Sequence, residues 1–199
     1  MHVKERQFRK EMDFIMENYT SADQELDRLR YPIGRFEAAE CRTGEARNQS
    51  VQDIRELADV LSKAVEQLTL EQLNTPYRPG GWSVRQVVHH LADTNMYAYL
   101  RFKRGLTEDA PEIPSYRQDL WAEQSDYLEE PTESSLQLLK HLNGRFVLLL
   151  DAMNEADYDR TFVSLGLGTM TLDAAVQRYV WHNRHHTAQI SSLVLRSGW

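Results

Sequence analysis

The sequence predicts an all-α four-helix bundle. Three observations carry that prediction. Four separate stretches place apolar residues at spacings of three and four, the signature of amphipathic helices. Only one short stretch alternates as a strand would. The chain has 199 residues, 41% hydrophobic and 27% charged, which suffices for one packed core and is too short for two ordinary domains.

Residues 1–30 are polar and strongly charged, and Phe8, Met12, Ile15 and Met16 trace only a short helical stripe. We read them as an N-terminal extension, helical or disordered, and residues 31–199 as the bundle domain. Tyr31-Pro32-Ile33-Gly34 separates the two, and the polar run from Glu37 to Ser50 reads as a loop. Ser50 is an N-cap residue, and Val51, Ile54, Leu57, Ala58, Leu61, Val65 and Leu68 then mark a first helix to about Leu68. A loop with Pro76, Pro79, Gly80 and Gly81 leads to Ser83, which forms a capping box with Gln86 and opens a second helix to about Arg104.

Pro111 and Pro114 exclude regular helix between Leu106 and Tyr116, so this segment is a crossover, with a short helix expected over Arg117 to Tyr127. Pro131 and Thr132 open the third helix, whose face of Leu136, Leu139, Leu142, Phe146, Leu149 and Leu150 extends to about Met153. Thr161 to Thr169, with Gly166 and Gly168, reads as a small hairpin. Thr171 caps a final helix that runs to about Arg196 and stops before Gly198.

Composition narrows the function classes. With 23 Lys+Arg against 30 Asp+Glu the net charge is -7, the wrong field for binding phosphate backbones, so no nucleic-acid partner is expected. The apolar run Phe146 to Leu150 is far shorter than the roughly 20 residues of a membrane span. No apolar segment of a secretory signal follows the N-terminal residues, and the lone Cys41 excludes an intrachain disulfide or a CxxC site. A cytoplasmic protein is therefore expected, with Cys41 an inert thiol.

Seven histidines are present, and five cluster as His89-His90 in the second helix and His182, His185 and His186 in the last. Residues four apart on a helix share a face, so His182 and His186 can offer two imidazoles to one ion. His186 lies within the apolar stripe of the last helix and His182 at its border, whereas His185 points well away. An imidazole from the second helix would complete a three-histidine site with an open fourth position. Helical phase leaves His89 and His90 as alternatives.

Other chemistries lack their residues. No Glu precedes a His by three, HExxH and GxSxG are absent, and Gly166-Leu167-Gly168 is a turn rather than a phosphate loop. No organic cofactor is indicated. His2 and His141 read as solvated, and Trp82, Tyr97, Tyr99, Trp121, Tyr179 and Trp181 as core and interface aromatics, some of which can line a pocket.

Two long motifs and one short stretch carry a resemblance. Tyr31-Pro32-Ile33-Gly34, the run from Thr75-Pro76-Tyr77-Arg78-Pro79-Gly80-Gly81-Trp82-Ser83 through His89-His90-Leu91-Ala92-Asp93, and Trp181-His182-Asn183-Arg184-His185-His186-Thr187-Ala188-Gln189-Ile190 resemble the YfiT group of the DinB-like superfamily over roughly Tyr31 to Trp199. The resemblance implies a four-helix bundle, a homodimer, and one divalent ion per subunit, Zn²⁺ first and Ni²⁺ or a similar ion second. By position it makes His90, His182 and His186 the ligands.

It implies a metal-dependent hydrolase acting on a small electrophilic substrate. The alternatives are a thiol S-transferase that uses bacillithiol or another low-molecular-weight thiol, and a noncatalytic dimeric metal-binding module. An ion held by neutral imidazoles keeps its +2 charge and acidifies a bound water or thiol, which serves either enzyme. A ligating histidine ordinarily donates its other N–H to a carboxylate or carbonyl, for which Asp93 and Gln189 are one turn away. No catalytic residue beyond the ligands is assigned.

Overall fold

The computed structural model describes residues 23–40 and 42–199. His2, Cys41 and the stripe from Phe8 to Met16 lie outside these, so the expectations for them, and for residues 1–22 generally, fall outside the described residues. Residues 23–30 are helical. Four long helices follow: α1 (Gly44–Val65), α2 (Val84–Thr107), α3 (Thr132–Asp151) and α4 (Leu172–Ser197).

Capping chemistry sets most of these starts. Ser83 Oγ accepts the Gln86 N–H while the Gln86 side chain accepts the Ser83 N–H, and Thr171 accepts the Ala174 N–H. The first helix differs from the expectation. It begins at Gly44, because Thr43 Oγ1 accepts the Ala46 N–H at 3.2 Å and supplies the cap assigned to Ser50. Ser50 lies instead inside α1, buried, where its hydroxyl donates to the Ala46 carbonyl and accepts from Arg42. Gly198, at φ 69°, takes the left-handed conformation that closes α4.

α1 packs on α3 and α4, and α2 packs on the same two helices, so α1 and α2 lie on a diagonal of the bundle. The crossover from α2 to α3 contributes more order than its prolines indicated. It holds short helices at Gln118–Trp121 and Ser125–Glu129, and a two-residue strand β1 (Glu112–Ile113). β1 pairs in parallel with β2 (Thr161–Ser164), and β2 pairs antiparallel with β3 (Gly168–Thr171), with Glu112 opposite Val163 and Thr161 opposite Thr171. The expected hairpin is thus the larger part of a three-stranded sheet.

The core is split along the bundle axis. One apolar cluster gathers Phe102, Phe146, Phe162, Leu172 and Tyr179. The other gathers Leu61, Leu91, Leu139 and Ile190, each fully buried, and burial of such side chains contributes roughly 1.5–3 kcal/mol apiece. Between them, three helices turn buried amides inward. Asn95 and Asn183 exchange amide hydrogen bonds at 2.9 and 3.0 Å, and the Tyr179 hydroxyl donates to Asn143 Oδ1 at 3.0 Å. This polar belt is where the histidines of α2 and α4 meet. No helix among the described residues is long and apolar enough to cross a membrane.

Candidate metal centre

His90 on α2 and His182 and His186 on α4 converge in the belt. One ring nitrogen from each lies within 4.8 Å of the other two. The ring centroids are 5.3 Å apart for His90 and His182, 4.9 Å for His90 and His186, and 4.5 Å for His182 and His186. Among the described residues no fourth His, Cys, Asp or Glu joins this group.

Burial and mutual proximity keep these rings neutral. Burial pushes the His90 imidazolium down to about 4. His182 and His186 are held well below the usual 6.5, first by burial and then by the neighbouring histidines. A neutral imidazole has a free lone pair, which is what a cation requires. The arrangement also leaves polar atoms stranded: Nδ1 of His90 and Nδ1 of His182 are buried without a hydrogen-bond partner among the described residues. Each such orphan costs roughly 1–3 kcal/mol, so the donor set and its unmet valence both fit a bound divalent ion.

Gln189 controls the third ring. Its Oε1 can only accept, so His186 Nδ1 donates to it at 2.9 Å, and Nε2 of His186 carries the lone pair. The Gln189 amide in turn donates to the Arg30 carbonyl at 2.8 Å and faces His185 Nε2 at 3.0 Å. Asp93, the other residue considered for such a role, does not reach the histidines. Its carboxylate accepts the Tyr127 hydroxyl at 2.5 Å, and burial raises its pKa.

The two adjacent histidines of α2 have different fates. His89 Nε2 donates to the Glu130 carbonyl at 3.1 Å and Nδ1 meets Ser135 Oγ at 2.7 Å, so both its nitrogens are satisfied at the start of α3. His185 departs from the sequence reading. It is buried rather than turned away, stacked on Trp181 at 4.8 Å and covered by Tyr31 at 5.6 Å. Helical phase could not register that the chain near Tyr31 folds back over this face. His141 is exposed, as expected.

The site opens on one side. Trp82 closes another, its ring 4.7 Å from His90 and 6.4 Å from His186. His182 forms part of the wall of a cavity of about 310 Å³. Thr94, one turn beyond His90, accepts or donates at 2.8 Å to the Tyr116 hydroxyl and lies 3.4 Å from His90 Nε2, and both line that cavity. Tyr116 belongs to an aromatic cluster with Tyr97 and Trp121 at 4.5 Å each. Thr94, Tyr116, Arg101 and Arg178 were not singled out from the sequence. Thr94 at four residues after His90 and Arg178 at four before His182 carried a signal, since polar residues at helical spacing from the histidines share their face.

Comparison with known proteins adds independent findings. Residues 53–190 match the family model described as DinB superfamily. A protein of Geobacillus thermodenitrificans named "Putative metal-dependent hydrolase" is 49% identical over 175 residues, covering 87% of this chain and 98% of the relative. A protein of the same name from Bacillus cereus is 44% identical over 174 residues, covering 87% of this chain and all of the relative. Among solved structures, YfiT from Bacillus subtilis, described as a probable metal-dependent hydrolase with an unusual four-helix bundle topology, superposes with a TM-score of 0.85. It is 42% identical and covers 86% of this chain and 99% of its own.

Proposed function

Because the chain belongs to the DinB superfamily, we propose that it is a metal-dependent hydrolase in which His90, His182 and His186 hold one divalent ion beside a cavity for a small electrophilic substrate. Zn²⁺ suits three neutral nitrogen donors best, and Ni²⁺ or a similar ion would also be accepted. The ion, when bound, supplies Lewis-acid activation of the group at its open position. The protein's own contribution is positional. Gln189 holds the His186 ring in one tautomer, Trp82 shields the ligands from solvent on one side, and the Thr94–Tyr116 hydroxyl pair presents hydrogen-bonding groups beside His90.

The observation that carries this reading is the convergence of three neutral imidazoles, with His182 on the cavity wall and no fourth protein donor among the described residues. A noncatalytic staple would close its coordination sphere with a fourth side chain. We further propose that the protein is a cytoplasmic homodimer with no nucleic-acid or membrane partner. Transfer of a low-molecular-weight thiol would use the same ligands, and is separated by assaying electrophiles with and without an added thiol.

His182→Ala and His186→Ala are each expected to abolish stoichiometric metal uptake while leaving the helical circular dichroism near that of the parent. Unchanged metal content in either variant rejects the site.

A further inference from the structure

The cavity that His182 borders also contains two arginines that no acidic group among the described residues pairs with. Arg101 projects from α2 and Arg178 from α4, and both line its wall. Among the described residues neither forms an ion pair or a hydrogen bond, and Arg101 Nε is buried without a partner. Their contacts are aromatic: Arg101 lies 5.9 Å from the Tyr97 ring, and Arg178 lies 5.5 Å from Phe36 and 6.0 Å from Trp181. Other partly buried arginines of the chain behave differently. Arg47 donates to Asp173 at 2.8 Å, and Arg160 donates to the Gly105 and Glu108 carbonyls at 2.7 and 2.8 Å.

Shortage of carboxylates does not explain the contrast, since the chain carries 30 acidic residues against 23 basic ones. Among the described residues, no Asp or Glu lines this cavity. Burial lowers the pKa of both guanidiniums, and the positive charge of Arg101 lowers that of Arg178 further. Two like charges, half desolvated and facing one space, are costly unless an anion enters it. A planar guanidinium fork matches the oxygens of a carboxylate or a phosphate.

We propose that Arg101 and Arg178 form a subsite for an anionic group of the substrate, a carboxylate or a phosphate, so that the molecule acted on is a small organic anion. This rests on the cavity being the substrate site of the hydrolase described above. Arg178 is one turn before His182, about 6 Å along the helix axis. The anion therefore anchors one end of the substrate while its reacting end lies at the histidines.

The test is a titration of the full chain, free of metal, with inorganic phosphate and separately with succinate, followed by amide NMR at low ionic strength. The parent protein, Arg178→Met and Arg101→Met are compared, and zinc uptake is measured on each. Saturable binding of at least one anion, weakened tenfold or more in Arg178→Met and in Arg101→Met with zinc uptake retained, is the expected result. Binding of phosphate alone assigns a phosphorylated substrate, and of succinate alone a carboxylate. Absence of saturable binding to the parent overturns the subsite, as does equal affinity in parent and Arg178→Met. Should Arg101→Met misfold, Arg178→Met on the other helix decides. Arginine-dependent anion binding without zinc uptake would remove the metal reading and leave the subsite standing, whereas zinc uptake without anion binding would do the reverse.

Discussion

Gln189 determines which nitrogen of His186 faces His90 and His182. Its side-chain oxygen has no proton to give, so the ring must donate from Nδ1, and the amide nitrogen is itself anchored on the Arg30 carbonyl. Replacing it with leucine keeps the volume but removes the acceptor, freeing the ring to change tautomer or rotate. Partners of this kind typically account for a 10–100-fold effect on metal affinity. Gln189→Leu is therefore expected to weaken zinc binding by about that factor, measured by competition with a chelator of known affinity, while stoichiometry stays at one ion per chain. An unchanged affinity would mean that packing alone orients His186. The same scale explains why adjacent histidines differ: His89 is already bonded at both nitrogens and has nothing left to offer an ion.

At the scale of the element, the amides of α2 and α4 lock the two helices in register at the level of the site. Asn95 and Asn183 exchange hydrogen bonds, so removing Asn95 strands the buried Asn183 oxygen while its amide nitrogen keeps the Tyr179 carbonyl at 2.8 Å. Asn95→Leu should cost roughly 1–3 kcal/mol in chemical denaturation, and the double variant Asn95→Leu with Asn183→Leu should recover part of that loss. A double variant as unstable as the sum of the two singles would contradict the pairwise account. Helix α2 was legible in the sequence because its cap, Ser83 with Gln86, is local and its apolar stripe is unbroken. The start of α1 was not, because two residues capable of capping, Thr43 and Ser50, stand seven apart and the choice depends on burial. β1 left no local trace, since two residues beside prolines become a strand only through pairing with β2. The spacing of His182 and His186 announced a shared face, but the separate roles of His89 and His90 depend on Ser135 and Glu130 across the bundle. Arg101 stayed hidden because a charged residue on an amphipathic helix ordinarily reads as solvated.

For the whole molecule, placing a cluster of neutral histidines between two apolar halves of the core ties folding to pH. In the unfolded chain a histidine titrates near 6.5, whereas folded His90 titrates near 4. Between those values the unfolded state binds the extra proton, so the metal-free protein must lose stability as pH falls from about 6.5 toward 4. His182 and His186, lowered by the same burial and by neighbouring histidines, act in the same direction, as do the buried His185, lowered to about 4, and His89. Asp93 acts oppositely, because its carboxyl is raised and takes up a proton more readily when folded. The shift of His90 alone corresponds to on the order of 3 kcal/mol across the window, and for a chain of this length each kcal/mol moves the melting temperature by roughly 2–4 °C. Thermal melts in the presence of a chelator should therefore fall by about 6–12 °C or more between pH 7 and pH 4.5. His90→Leu, which removes one of these buried imidazoles and leaves the others, should make that acid limb shallower. A melting temperature in the parent that holds steady over this range would show that the buried imidazoles, His90, His182 and His186 among them, are not kept neutral by the fold, and with that the lone pairs needed for a cation would be lost as well.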